Sequence, residues 1–66
     1  LSAAAEAHAR ELVAAAIVAA GGAATTSGLR EALGVSRKRA ISILEHLDVV
    51  RYTVLDKDAG GLRSLR

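Results

Sequence analysis

Apolar and polar positions follow a helical period over the first third of the chain. Between Ser2 and Ala20 one face collects the apolar side chains Ala5, Ala9, Leu12, Val13, Ala16, Ile17 and Ala20. Alanine has the highest helix propensity, and Gly21-Gly22 offers the left-handed geometry that commonly ends a helix. The pattern predicts a first helix over residues 2–20.

Two shorter helices joined by a tight turn are predicted next. Thr25 or Thr26 caps a helix that runs to about Leu33, and its core-facing positions are Leu29, Ala32 and Leu33. Gly34 suits the left-handed position after that helix, and Ser36 caps a third helix that extends to Asp48. The third helix gathers its apolar residues on one side: Ala40, Ile41, Ile43, Leu44 and Leu47. This arrangement is a helix-turn-helix.

The last third of the chain has the composition of strands and a turn. Val49–Leu55 is β-branched and aromatic, residues 56–61 are turn formers, and Leu62–Leu65 is predicted to return as a partner strand. A short strand at Ala23–Thr25 is expected to add a third partner. The fold class predicted is mainly α with a small β-hairpin, a winged helix-turn-helix of three helices plus wing, in one domain over residues 1–66.

Composition narrows the class of protein. A chain of 66 residues allows one small domain, and it has no Cys for a disulfide or a thiolate metal site. The longest apolar run is shorter than the roughly 18 residues of a membrane span, and no signal peptide is visible, so we expect a soluble, cytoplasmic protein without membrane contact. Because the chain starts at Leu1 and not Met, we expect it to be a fragment of a longer protein.

The sequence does not predict an enzyme. It offers two isolated histidines, no Cys, and carboxylates scattered over different elements, so no nucleophile, base and orienting group come together. His8 lacks partners at metal-ligand spacing, and the Asp56-x-Asp58 turn lacks the later oxygens of a calcium loop. We therefore expect a binding module with no catalytic residue, no metal and no cofactor of its own.

The basic triplet Arg37-Lys38-Arg39 is the best candidate for a binding site. It lies at a helix start, where the helix dipole favours acidic residues by about 0.3 to 1 kcal/mol each. An anionic partner would explain three cations there, although a run of three charges is also found at plain solvated helix ends. A net charge of +2 and a pI near 9.7 permit a nucleic-acid partner without requiring one.

The outward side of this helix begins basic and ends with Glu45 and His46. Contact through the first turn alone keeps Glu45 away from phosphates, and such end-on contact suits structured RNA, whose narrow major groove excludes a helix. Two alternatives remain open. A DNA-binding winged helix would bring Lys38, Arg39 and Ser42 to the major groove. A protein-interaction winged helix would use the outer side of the first helix at Ala14, Ala15 and Val18.

The run from Thr25 to Arg66 resembles a known family. Its most telling residues are Ser36-Arg37-Lys38, Ala40-Ile41, Leu44-Glu45 and Leu47-Asp48. They are similar to the last winged-helix domain of SelB, the bacterial selenocysteine-specific elongation factor. Val54-Leu55 stands where that family has a basic pair, and Leu29 where it has an aromatic residue.

The resemblance implies an RNA-binding module within a larger factor. The parent would be a translational GTPase that holds GTP and Mg in a domain outside this chain and carries four tandem winged helices, the last of which grips the selenocysteine-insertion (SECIS) hairpin of selenoprotein mRNA. The implied partners are that structured RNA and the neighbouring winged-helix domains. Residues and resemblance together predict an RNA-binding site made of Ser36, Arg37, Lys38, Arg39 and Ser42, with the wing residues Arg63 and Arg66 assisting.

Overall fold

Three helices form the larger part of the domain. The computed structural model describes residues 2–66 and contains α1 (Ala3–Ala19), α2 (Thr26–Leu33) and α3 (Arg37–Val49). Each helix follows a capping hydroxyl that accepts the backbone N–H three residues further on, from Ser2, Thr25 and Ser36. The three predicted helices and two of their predicted caps, those of α2 and α3, are therefore confirmed.

Gly34 begins the tight turn of three residues, 34–36, between α2 and α3. Gly34 has φ of 69°, and its N–H donates to the carbonyl of Arg30 over 3.0 Å. Side chains are strained in this left-handed conformation, so glycine is the residue that ends α2 at the lowest cost. The predicted helix-turn-helix is confirmed, and the turn brings the start of α3 next to α2.

The end of α3 differs from the prediction. Val49 is still helical, and Arg51 adopts φ of 63° while the N–H of Tyr52 donates to the carbonyl of Leu47 over 2.9 Å. This is a Schellman-type helix end with an arginine at the position usually taken by glycine. The strand predicted to begin at Val49 therefore begins four residues later, at Thr53. The β-branched residues Val49 and Val50, which favour a strand, form the last residue and the cap of the helix instead.

The wing is an antiparallel hairpin of β1 (Thr53–Asp56) and β2 (Leu62–Leu65). Thr53 lies opposite Leu65, and the N–H of Gly61 donates to the carbonyl of Asp56 across the turn. The expected third strand is reduced to one bridge, in which Ala24 and Arg63 exchange backbone hydrogen bonds of 2.8 and 2.9 Å. This bridge ties the wing to the segment before α2.

The core lies where the helices meet the wing. Its buried apolar residues are Ala9, Val13, Ile17, Ala24, Leu29, Ala40, Leu44 and Leu47. Ile41 and Ile43, predicted on the inner side of α3, are half-buried at the margins of that face. Ala5 and Ala20, predicted on the inner face of the first helix, are exposed because they lie beyond its buried stretch between Ala9 and Ile17. Three helices and a hairpin with this core make a winged-helix fold.

Candidate nucleic-acid interface

Three cations occupy the first turn of α3. Arg37, Lys38 and Arg39 are its first three residues, all exposed, and no acidic residue shares that turn. The Ser36 hydroxyl accepts the N–H of Arg39 over 3.3 Å, so the cap fixes the direction of the helix at this point. Within residues 2–66, side-chain ion pairs involve Arg10, His46 and Arg63 but none of the triplet. No ion pair among the residues that the structure describes therefore offsets the positive charge of the helix start.

A broad groove runs along one side of this helix start. Its volume is about 620 Å³, and its lining consists of Ser36, Lys38, Arg39, Ser42, Ile43 and His46. Four of the predicted site residues meet here, and they offer two hydroxyls, an ammonium and a guanidinium. Ile43 adds apolar surface against which a flat ring could lie. Charged donors beside an apolar surface suit a ligand that has both phosphate and base.

The third cation of the triplet lies on a different side. Arg37 lines a smaller groove of about 160 Å³ together with Thr26, Ser27 and Arg30 of α2. Successive residues of a helix point about 100° apart, so a run of three cations at a helix start is spread around it. Sequence reasoning missed the α2 side of this surface, although the position of Arg30 within a predicted helix-turn-helix was a signal for it.

The two wing arginines occupy unlike positions. Arg63 is only 5% exposed, and its guanidinium donates to the Asp48 carboxylate and to the Thr26 hydroxyl. In this position it supports the fold and is not presented to a ligand. Arg66 is exposed and its N–H donates to the carbonyl of Tyr52, but it lines neither groove.

His46, at the end of the broad groove away from the helix start, contacts Glu6 of α1. Nε2 of His46 lies 2.5 Å from Oε1 of Glu6, whose Oε2 is 2.8 Å from Nη2 of Arg10. The hydrogen bond with His46, and secondarily the charge of Arg10, lower the pKa of the Glu6 carboxyl against the opposing effect of desolvation. The sequence predicted His46 to be part of an exposed face. It is half-buried, because α1 packs beside it and supplies the carboxylate.

The described residues were also compared with the requirements of a metal site, a membrane span and a polyanion that lies along α3. Among residues 2–66, no three His, Asp or Glu side chains are close enough to hold a metal ion together. No helix in that range has the length and hydropathy needed to span a membrane. Glu45 is exposed further along α3, so a polyanion that lay along the whole helix would meet a carboxylate. The charge distribution favours contact at the helix start.

Comparison with known protein families identifies a match for this chain. A family model described as "Elongation factor SelB, winged helix", and named for the third winged helix of that factor, matches residues 16–59, which are 44 of the 66 residues. The match includes α2, α3, β1 and both grooves, and it stops before Arg63 and Arg66. No curated protein and no solved structure matched the chain. The chain belongs to the family of SelB winged-helix domains, which are non-catalytic modules of a translation elongation factor.

Proposed function

We propose that this domain binds a structured RNA, the selenocysteine-insertion hairpin of an mRNA, on behalf of a SelB-type selenocysteine-specific elongation factor. The observation that carries the proposal is the uncompensated cluster of Arg37, Lys38 and Arg39 at the start of α3. The cluster lies in a winged helix of a translation elongation factor family, and RNA is the polyanion that such factors meet.

The helix start would contact the RNA end-on. Arg37, Lys38 and Arg39 would pair with backbone phosphates, which supply affinity but little sequence selectivity. Ser36 and Ser42 would donate or accept hydrogen bonds at the edge of a base that is splayed out of the RNA, and Ile43 would lie against its face. Arg66 would reach the backbone from the wing, while Arg63 would keep the wing in place. Duplex DNA is the less favoured ligand, because α3 in a major groove would bring the exposed Glu45 toward phosphates.

The larger factor supplies the remaining activities in this proposal. GTP and Mg would be bound by a GTPase domain elsewhere in the parent protein, in the cytoplasm, and this chain would contribute no catalytic residue. Neighbouring winged helices would be its partners within the same protein. The resemblance predicts the last of four such domains, whereas the matching family model is named for the third. The position of this domain in the row stays a prediction.

Salt-dependent binding tests the proposal. Affinity for a labelled bacterial selenocysteine-insertion hairpin is measured by fluorescence anisotropy over about 0.05 to 0.5 M salt, for the wild type and for the triple variant R37Q/K38Q/R39Q. Three lost phosphate contacts should reduce the slope of log affinity against log salt by about 2 and weaken binding at 0.1 M salt by about a hundredfold or more. The triple variant should remain folded, since cations at a helix start do not stabilise it.

The matched control changes an arginine at the opposite end of α3. R51Q removes one exposed cation there and should leave hairpin affinity unchanged. A duplex DNA and a fully paired RNA hairpin serve as competitors. Preference for duplex DNA, or equal affinity of the triple variant and R51Q for the selenocysteine-insertion hairpin, would contradict the proposal.

A further inference from the structure

The smaller groove is the least explained feature of the surface. It is lined by Thr26 and Ser27 from the first turn of α2, by Arg30 from the last turn of α2, and by Arg37 at the start of α3. None of these residues lines the broad groove on the other side of α3. The start of α3 is therefore a ridge between two separate grooves that both carry positive charge.

All four lining side chains are able to donate hydrogen bonds. Arg30 and Arg37 are exposed, lie outside the ion pairs formed within residues 2–66, and have no carboxylate beside them in the groove lining. Oγ1 of Thr26 accepts a hydrogen bond from Nη1 of Arg63 over 3.0 Å, and a hydroxyl can donate its own proton at the same time. Ser27 adds an exposed hydroxyl.

The last turn of α2 is a favourable place for the charge of Arg30, but the start of α3 is not one for Arg37, so folding alone does not explain why both guanidinium groups line one groove. Two guanidinium groups brought to one small groove from different helices repel each other, and each is left with unused donors in a planar fork. The planar donors of a guanidinium match two oxygens of a phosphate, and nearby hydroxyl groups can donate hydrogen bonds to the remaining phosphate oxygens. The Arg63 contact also holds Thr26 in place, because the guanidinium is itself anchored by Asp48.

We propose that the groove between α2 and α3 binds a second segment of RNA backbone, with one phosphodiester phosphate held by Arg30, Arg37 and the hydroxyls of Thr26 and Ser27. The RNA would then straddle the start of α3, with one stretch of backbone in each groove. This inference rests on the proposed function, and it adds Arg30, Thr26 and Ser27 to the contact residues. Because each groove would bind a phosphate, the domain would select RNA whose backbone presents two phosphates at a fixed separation.

The decisive variant is R30Q, with R51Q as its matched control. Both substitutions remove one exposed arginine charge, but only Arg30 lines a groove. Loss of one phosphate contact should lower the log–log salt slope for the selenocysteine-insertion hairpin by about 0.7 to 0.9, which is about a five- to eightfold loss of affinity at 0.1 M salt. S27A should weaken binding without changing the salt slope, because it removes a neutral donor.

Backbone amide shifts in NMR spectra provide the second measurement. Titration with the hairpin should move the amide signals of Thr26, Ser27 and Arg30, and inorganic phosphate at ten times the total phosphate concentration should leave them in place. Equal movement with inorganic phosphate would make the groove a free-phosphate site and overturn the inference.

The outcomes separate this inference from the proposed function. If the hairpin binds and R37Q/K38Q/R39Q weakens it, while R30Q behaves like R51Q, the second site is wrong and the proposed function stands. If the wild type does not bind the hairpin, both are wrong. Weaker hairpin binding by R30Q and S27A as well as by R37Q/K38Q/R39Q, with R51Q unchanged, supports the second backbone site.

Discussion

Arg63 and Asp48 form an ion pair inside the domain, with Nη2 of the arginine 3.0 Å from Oδ2 of the aspartate. The aspartate also accepts a hydrogen bond from the Thr53 hydroxyl over 2.6 Å, and the arginine donates to the Thr26 hydroxyl. One guanidinium therefore connects β2 with the last turns of α3 and the first turn of α2. The relative positions of wing and helix-turn-helix depend on this pair.

Removal of the carboxylate should be costly. In D48A the guanidinium of Arg63, which is 5% exposed, keeps its charge but loses its main partner. Breaking a buried ion pair in this way costs about 3 to 5 kcal/mol of unfolding free energy. Because Asp48 is partly exposed, we expect a loss of about 3 kcal/mol. For a domain of this size the melting temperature should fall by about 10 °C or more.

Circular dichroism during urea and thermal unfolding measures this loss. The control is D58A, which removes a carboxylate from the exposed turn of the wing, where the Asp58 side chain forms no hydrogen bond with residues 2–66. D58A should lie within about 0.5 kcal/mol of the wild type. If D48A were equally mild, the ion pair would not be what positions the wing.

The end of α3 offers a stabilising substitution. Arg51 has φ of 63°, a conformation that costs a residue with a side chain about 1 kcal/mol or more relative to glycine. R51G should therefore raise the unfolding free energy by about 0.5 to 1 kcal/mol, after allowance for the greater freedom of glycine in the unfolded chain. The matched control R30G changes an arginine within α2 and should lower it by about 1 kcal/mol. Destabilisation by both substitutions would show that the Arg51 side chain contributes a compensating contact.

Local patterns were sufficient to predict most of the fold. Helical periodicity, the capping hydroxyls of Thr25 and Ser36, and the glycine at position 34 all act within a few residues, and the structure confirms each of them. The end of α3 was predicted poorly, because two valines have strand propensity wherever they occur. There the backbone hydrogen bonds of Arg51 and Tyr52 to the last turn of the helix overrode that propensity.

The candidate site depends partly on contacts between distant parts of the chain. The basic triplet was visible in the sequence because three cations at a helix start contradict the dipole rule. Arg63 could not be assigned to the interior, since alternation in a strand does not say which face is buried, and its side chain is held by Asp48 and Thr26, which are 15 and 37 positions away in the chain. The contact of Glu6 with His46 joins residues 40 positions apart, and no local pattern indicates it.

The Glu6 carboxylate joins α1 to α3 through His46 and lies beside Arg10 on its own helix. Its pKa in the folded protein is lowered from the ordinary value of 4.5, chiefly by the hydrogen bond with His46 and then by Arg10. A carboxyl group whose folded-state pKa is lowered contributes stability that is present above its unfolded-state pKa and is lost as the pH falls through the folded-state pKa. The contribution of Glu6 should therefore be present above pH 4.5 and decline below it, until it is lost as the pH falls through the lower pKa of the folded state.

Comparison of the wild type with E6Q across pH isolates this contribution. The difference between their urea midpoints should be largest above pH 4.5 and should close as the pH is lowered from about 7 toward about 3, because protonated Glu6 resembles glutamine. E11Q changes an exposed carboxylate of the same helix that forms no ion pair within residues 2–66, and it should follow the wild-type curve. A constant difference between the wild type and E6Q at every pH would mean that the carboxylate charge does not hold α1 against the groove.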